Sequence, residues 1–184
     1  MSLRSSRESF GARRIGAMTR HRLALAVLFL SAASLFAAEP PPVLRIPGAP
    51  ERALAPESLV GKSSRDVRLE DTAGNVTVYH GMPLLEVLEK NGLDLRTMAG
   101  ERKSAAEVVL ATARGGYAVA FSVGELRLNR ANPKVFLVAE TSAGPLPENE
   151  GPVRLIVYGD VIRSAYALSR IELKALAEDS PRGK

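Results

Sequence analysis

Few side chains in this chain are of a type and spacing that could do chemistry. His80 is the only histidine beyond the first 37 residues, and one imidazole beside a turn falls short of the three or four ligands a metal site needs. It reads as a surface or hinge residue. Glu70 and Asp71 are adjacent carboxylates that would suit acid–base work, but neighbours along a strand point to opposite faces, so both read as solvated. Ser122 has no base near it in sequence beyond Glu125, which leaves a nucleophile unsupported. Gly115-Gly116 would offer backbone N–H groups to an anion, but no lysine or helix start follows, so a turn is expected. Cysteine is absent from the whole chain. Disulfides, a lipoprotein anchor and thiolate metal ligation are therefore excluded.

The elements that would position these groups are mostly strands. Val43-Leu44-Arg45-Ile46 alternates apolar and polar up to Pro47-Gly48, and Pro56 to Val60 suits one helical turn. Asp66 to Leu69 and Asn75 to Tyr79 flank the turn Asp71-Thr72-Ala73-Gly74 as a hairpin. Val67 with Leu69, and Val76 with Val78, would line one face of each strand. Pro83 to Asn91 is the clearest helix, with Leu84, Leu85 and Leu88 at helical spacing and Gly92 at the stop. Glu101 to Ala105 reads as a polar connector. Strands are expected at Val108 to Leu110 and, after the glycine turn, at Tyr117 to Phe121. The Ser122-x-x-Glu125 spacing fits a capping box opening a short helical turn. After Asn132-Pro133, Val135 to Ala139 is a continuous apolar run expected deep in a sheet. Val153 to Tyr158 and Leu168 to Leu173 complete the set, with Leu168, Arg170 and Glu172 on one side of the last strand and Ser169, Ile171 and Leu173 on the other. The loop 144–151 should face solvent.

The formal charge of +5 over 184 residues is unevenly placed. Six of the 25 basic residues and one of the 20 acidic ones precede position 38, which leaves 19 of each from Ala38 on. A neutral domain without tryptophan or a basic cluster lacks the footprint of a nucleic-acid binder. Residues 1–38 read as a secretory signal: arginines up to Arg22, an apolar run Leu23 to Phe36 shorter than the roughly 20 residues that span a bilayer, then small residues. Met18-Thr19-Arg20-His21-Arg22 offers an alternative start. The expected location is periplasmic or secreted, with a membrane involved only through an uncleaved leader. Residues 39–42 form a proline-rich spacer, 43–174 one domain and 175–184 a loose tail.

The order of motifs along that domain resembles the oxidoreductase molybdopterin-binding family, whose type fold is that of sulfite oxidase. Tyr79-His80-Gly81-Met82-Pro83-Leu84-Leu85 looks like its aromatic-x-Gly-Val-Pro-Leu segment. Gly116-Tyr117, Phe121 to Leu126, Leu137-Val138-Ala139, Gly144-Pro145-Leu146-Pro147 and Gly151 to Val157 follow in the family's order. The resemblance runs from Val43 to Leu173 and implies an α+β fold of mixed sheets with a few short helices. In that family's enzymes a cysteine thiolate bonds molybdenum, soft sulfur suiting the metal. Here Thr72 stands in that place before Ala73-Gly74-Asn75, and no residue can make the metal–sulfur bond. On the pterin side, Arg163 and Ser164 match an Arg-Ser pair, while the Lys and Trp that follow are replaced by Tyr166 and Ala167.

Thr72, Arg154, Arg163 and Ser164 are thus the residues that the resemblance would bring to a cofactor or anion. The two arginines would grip a phosphate, or pair with Asp160 or Glu172 across strands. No bound cofactor is expected, molybdopterin being the one the resemblance would supply. The expected function is a non-catalytic binding module for a small anionic ligand or an exported redox-protein partner. Two alternatives stand beside it: a molybdopterin-dependent oxidoreductase using Thr72 or Asp71 as an oxygen ligand, and a structural accessory subunit of a membrane redox chain.

Overall fold

The computed structural model describes residues 39–176; the expected signal peptide and the end of the tail lie outside the described residues. The described part is α+β, with ten strands in two sheets and three short α-helices. β1 (Val43–Arg45) and β2 (Arg52–Ala53) come first, followed by a 3-10 turn at Pro56–Leu59. β3 (Arg65–Glu70) and β4 (Val76–Pro83) form the expected hairpin. α1 (Leu84–Lys90) and α2 (Met98–Ala105) follow, then β5 (Glu107–Ala113) and β6 (Ala118–Ser122). α3 (Val123–Leu128) leads into β7 (Val135–Thr141), β8 (Gly144–Pro145), β9 (Arg154–Val157) and β10 (Leu168–Ala175). The first sheet has the order β2-β1-β10-β5-β6 and the second β3-β4-β7-β8, with β9 also on β7. β1 on β10 is a parallel pair within otherwise antiparallel ladders.

One core joins the two sheets. Val109 and Phe121 of the first sheet, Leu137 and Leu155 of the second, and Leu84, Leu88 and Val123 of the helices are all buried in it. Full burial of each such side chain is worth about 1.5–3 kcal/mol. A smaller cluster of Val67, Tyr79, Phe136, Val138 and Ile156 lies on the other face of the second sheet. β7 is therefore covered on both sides, its odd residues facing the main core and Phe136 and Val138 the second cluster. That explains its unbroken apolar run.

Several local expectations change. The polar stretch expected to be a connector is helix α2, because the Thr97 hydroxyl accepts from the Gly100 N–H at 3.0 Å and opens a helix just ahead of it. Val67 pairs with Tyr79 and Leu69 with Thr77, so Tyr79 rather than Val78 shares the apolar face, and Val76 is left 57% exposed at the hairpin end. In β10 a register irregularity between Leu168 and Arg170 turns Leu168 into the core beside Ile171 and Leu173, away from Arg170. Gly81 marks a close crossing. A Cβ there would fall 2.1 Å from the Leu137 carbonyl oxygen and 2.6 Å from the Val138 Cα.

Candidate functional site

Four separate segments meet at one end of the second sheet. The β4–α1 junction brings Pro83, Leu85 and Glu86; α3 brings Glu125 and Leu126; the approach to β7 brings Lys134 and Val135; the exit of β9 brings Val157, Tyr158, Asp160 and Arg163. They enclose a cleft of about 400 Å³. Proline at the Pro83 N-cap starts α1 with Leu85 and Glu86 turned toward it. The Ser122 hydroxyl accepts from the Glu125 N–H at 2.9 Å, which anchors α3 beside it. Only this half of the capping box forms as expected; the Glu125 carboxylate reaches Arg163 instead.

The floor is apolar, with Leu85, Leu126, Val135 and Val157. The rim is charged, and nearly all of its charge is internally paired. Arg163 donates through Nε to Asp160 at 2.7 Å and through Nη1 to Glu125 at 2.8 Å, with its guanidinium 5.3 Å from the centre of the Phe121 ring. Hydrogen bonds from Arg163 hold the Asp160 carboxyl below its ordinary range, and the two carboxylates push the Arg163 guanidinium further toward the charged form. Arg130 is held by both oxygens of Glu89 at 2.6 and 2.8 Å, and Glu86 by Arg65 at 2.5 Å. Among the described residues, Lys134 is the cation on this rim with no ion partner.

The four residues suggested by the resemblance do not meet here. Arg163 lines the cleft. Ser164 lies in the same loop, but its hydroxyl accepts from the Val157 N–H at 3.0 Å and donates to the Asp160 carbonyl at 3.2 Å, stapling the loop to β9. Arg154 is on the far face of the second sheet, only 6% exposed. It donates to the Tyr79 hydroxyl at 2.6 Å and to Glu150 at 2.7 Å, with its guanidinium 4.9 Å from the Tyr79 ring centre and 4.1 Å from that of Tyr166. Its Nε is buried without a partner. Thr72 sits on the β3–β4 turn, which the Asp71 carboxylate closes by accepting from the N–H groups of Ala73 and Asn75 and from the Asn75 amide. Those bonds, the Asn75 side chain's first, hold the Asp71 carboxyl below its ordinary range. β4 is eight residues long, so Thr72 is separated from the Pro83 end by more than about 20 Å of strand.

This donor set does not fit a molybdopterin. Its members face three different regions, and both arginines already carry carboxylates where a phosphate would sit. Among the described residues no group of three or more His, Asp or Glu is arranged to hold a metal ion. His80 instead pairs with Asp66 at 2.9 Å.

Lys134, Glu125 and Asp160 were not singled out from the sequence as lining a common site. The one local signal for Lys134 is its place between Pro133 and the apolar run of β7, which puts it at the start of that strand. In comparisons with known proteins, no family model matches this chain, and no curated protein matches it either.

Proposed function

We propose that this chain is an exported, non-catalytic binding module built on the sulfite-oxidase-like molybdopterin-binding fold, and that its cleft holds a small anionic ligand with an apolar body. The observation that carries the reading is the cleft itself. It offers about 400 Å³ over an apolar floor, and Lys134 is the rim cation left over once the ion pairs are made. A volume of that order suits a small molecule, and a few placed polar groups over an apolar lining are what such sites use. The anion would meet Lys134, and the body would lie on Leu85, Leu126 and Val157. Arg163 would act as a wall, since a ligand that took its guanidinium would have to displace two carboxylates.

The serial order of motifs supports the family scaffold, and the missing cysteine supports the loss of its metal chemistry. The arginine-rich start and apolar run of the first 38 residues support export.

The test is thermal unfolding of the exported protein, wild type and Lys134→Ala, against inorganic phosphate, a medium-chain fatty acid and an aryl phosphate, together with molybdenum and pterin analysis. A ligand at about 100 times its Kd adds roughly 2.7 kcal/mol of stability. The expected result is a rise in Tm with the amphipathic probes that Lys134→Ala removes, in metal-free protein. Stoichiometric molybdenum would establish the oxidoreductase reading instead. A response unchanged in Lys134→Ala, or none to any probe, would remove the ligand.

A further inference from the structure

A sheet edge leaves a row of backbone N–H and C=O groups without partners, and folded proteins usually blunt it with charge, proline, brevity or a cover. Most edges here are blunted. β2 and β8 are two residues each, β8 carrying Pro145. β3 presents Arg65, Asp66, Arg68 and Glu70 among its six residues. β9 is covered at Leu155, which exchanges backbone hydrogen bonds with Ala165 at 2.8 and 2.9 Å.

β6 is the exception. It is the last strand of the first sheet, five residues long, and contains neither charge nor proline. The Ala113 N–H donates to the Tyr117 carbonyl at 2.8 Å, so that pair is hydrogen-bonded. By antiparallel alternation the N–H and C=O groups of Ala118 and Ala120, and the Ser122 N–H, point away from β5. Ala118, Ala120 and Ser122 are exposed. At the hairpin end of the strand the Tyr117 hydroxyl donates to the Ile162 carbonyl, and the adjoining Val161 and Ile162 are 86% and 83% exposed. They are not loose. The Asp160–Arg163 clamp and the Ser164 staple fix the loop that carries them.

We infer that β6 pairs with β6 of a second copy of this chain, antiparallel about a twofold axis at Ala120, joining two five-stranded sheets into one. The strand is complementary to itself. Ala118 comes opposite Ser122, Val119 opposite Phe121 and Ala120 opposite Ala120, so no charge is buried and no like charges meet. The same axis sets the hairpin turn of one copy beside the first turn of α3 of the other; Arg114 on the turn is already held by Glu39 and the Gly151 carbonyl, and Glu125 on α3 by Arg163, so neither brings an unpaired charge to the seam. The axis also brings the exposed Tyr117, Val161 and Ile162 of one copy toward the α3 end of the other, where Leu128 is 90% exposed. Closed twofold pairing is the commonest solution for a patch that can meet itself. It also ends the pairing at two copies, since among the described residues each has only one such edge.

Ala120→Pro tests this. It deletes an N–H that the fold itself does not use and leaves the ladder with β5 intact. The protein as exported, wild type and variant, would be taken through a concentration series by sedimentation velocity and light scattering, with circular dichroism to verify the fold. A dimeric wild type whose dissociation constant rises about tenfold or more in Ala120→Pro is the expected result. A wild type that stays monomeric across the series, or a folded Ala120→Pro that dimerises as well as wild type, overturns the inference. Ala120→Lys is the second variant, and it decides if the proline variant does not fold. Its side chain stands on the exposed face, and the two lysines would oppose each other at the axis, so an undiminished dimer would again refute the pairing.

Discussion

Replacing Glu150 with glutamine tests whether the far-face arginine is a structural ion pair. Arg154 is 6% exposed and keeps one charged partner, the Glu150 carboxylate at 2.7 Å, while its Nε already lacks any partner. Removing one member of a buried pair costs about 3–5 kcal/mol. The Glu150 side chain is one-fifth exposed and a glutamine carbonyl still accepts a hydrogen bond, so the expected loss is lower, about 2–3 kcal/mol. In a domain of this size that is roughly 5–10 °C in Tm. Arg154→Met should cost less, about 1–2 kcal/mol, because the more deeply buried charge is the one removed, the Glu150 carboxylate is one-fifth exposed and can turn to water, and the methionine still packs between Tyr79 and Tyr166. Glu150→Gln added to Arg154→Met should then do almost nothing, which gives a coupling of about 2 kcal/mol. The chain has no tryptophan, so urea unfolding would be followed by far-UV circular dichroism and tyrosine fluorescence. A Glu150→Gln loss under about 0.5 kcal/mol, or additive effects of the two substitutions, would refute the reasoning.

Three further outcomes are open to measurement. Gly81→Ala places a methyl against the β7 backbone on two atoms, and neither can swing aside, so a loss of about 3 kcal/mol or more in urea unfolding is expected. Ser122→Ala removes the α3 cap and should cost about 1 kcal/mol; equal stability would mean that the Glu125–Arg163 pair alone holds α3. Asp71, Asp94 and Asp160 have carboxyls held below their ordinary value of 3.8, mainly by hydrogen bonds from Asn75, Arg96 and Arg163 respectively. Their folded forms release protons more readily than the unfolded chain, so their stabilisation is complete above pH 3.8 and is lost as the pH falls through the folded values. Tyr79 works at the other end. Burial raises its phenol above the ordinary value of 10.0, so its contribution is present below pH 10.0 and lost as the pH climbs through the folded value. Urea midpoints measured across both windows, with Asp71→Asn and Tyr79→Phe as controls, would show a flattened acid and alkaline limb respectively.

The hairpin, α1, β7 and β10 were legible as elements because each rests on a local rule: a turn glycine, a proline start, a run of buried residues, an alternation. The facing of Leu168 and of Val76 and Val78 was not, because a register irregularity and the pairing partner decide it. α2 was not, because its residues are polar and its only start signal is a threonine three residues ahead of a glycine. The cleft was illegible for a different reason. Its lining comes from positions as far apart as Leu85 and Arg163, and nothing in either neighbourhood says that the end of β4 and the exit of β9 flank β7 on opposite sides. The sequence did suggest Asp160 as a partner for Arg163, three residues away. Glu125, thirty-eight residues away, required the fold.

The two arginines bear most directly on which functional class survives. For Arg163 to grip a pterin phosphate it would have to leave both Asp160 and Glu125, trading two charge-assisted hydrogen bonds for contacts with a ligand that carries its own charge past the same two carboxylates. For Arg154 to do so, the Tyr79, Glu150 and Tyr166 surround would have to open, and Glu150 would be left beside the incoming anion. Each rearrangement opposes like charges, so an oxidoreductase of this sequence would need both networks rebuilt on binding. A ligand seated at Lys134 needs neither, since the ammonium is exposed and the floor beneath it is already formed. Which cation receives the anion therefore turns on Glu125 and Glu150. If Glu125→Gln and Glu150→Gln tightened the binding of phosphate compounds while Lys134→Ala left it untouched, the arginines would be the anion site and the Lys134 site would fall.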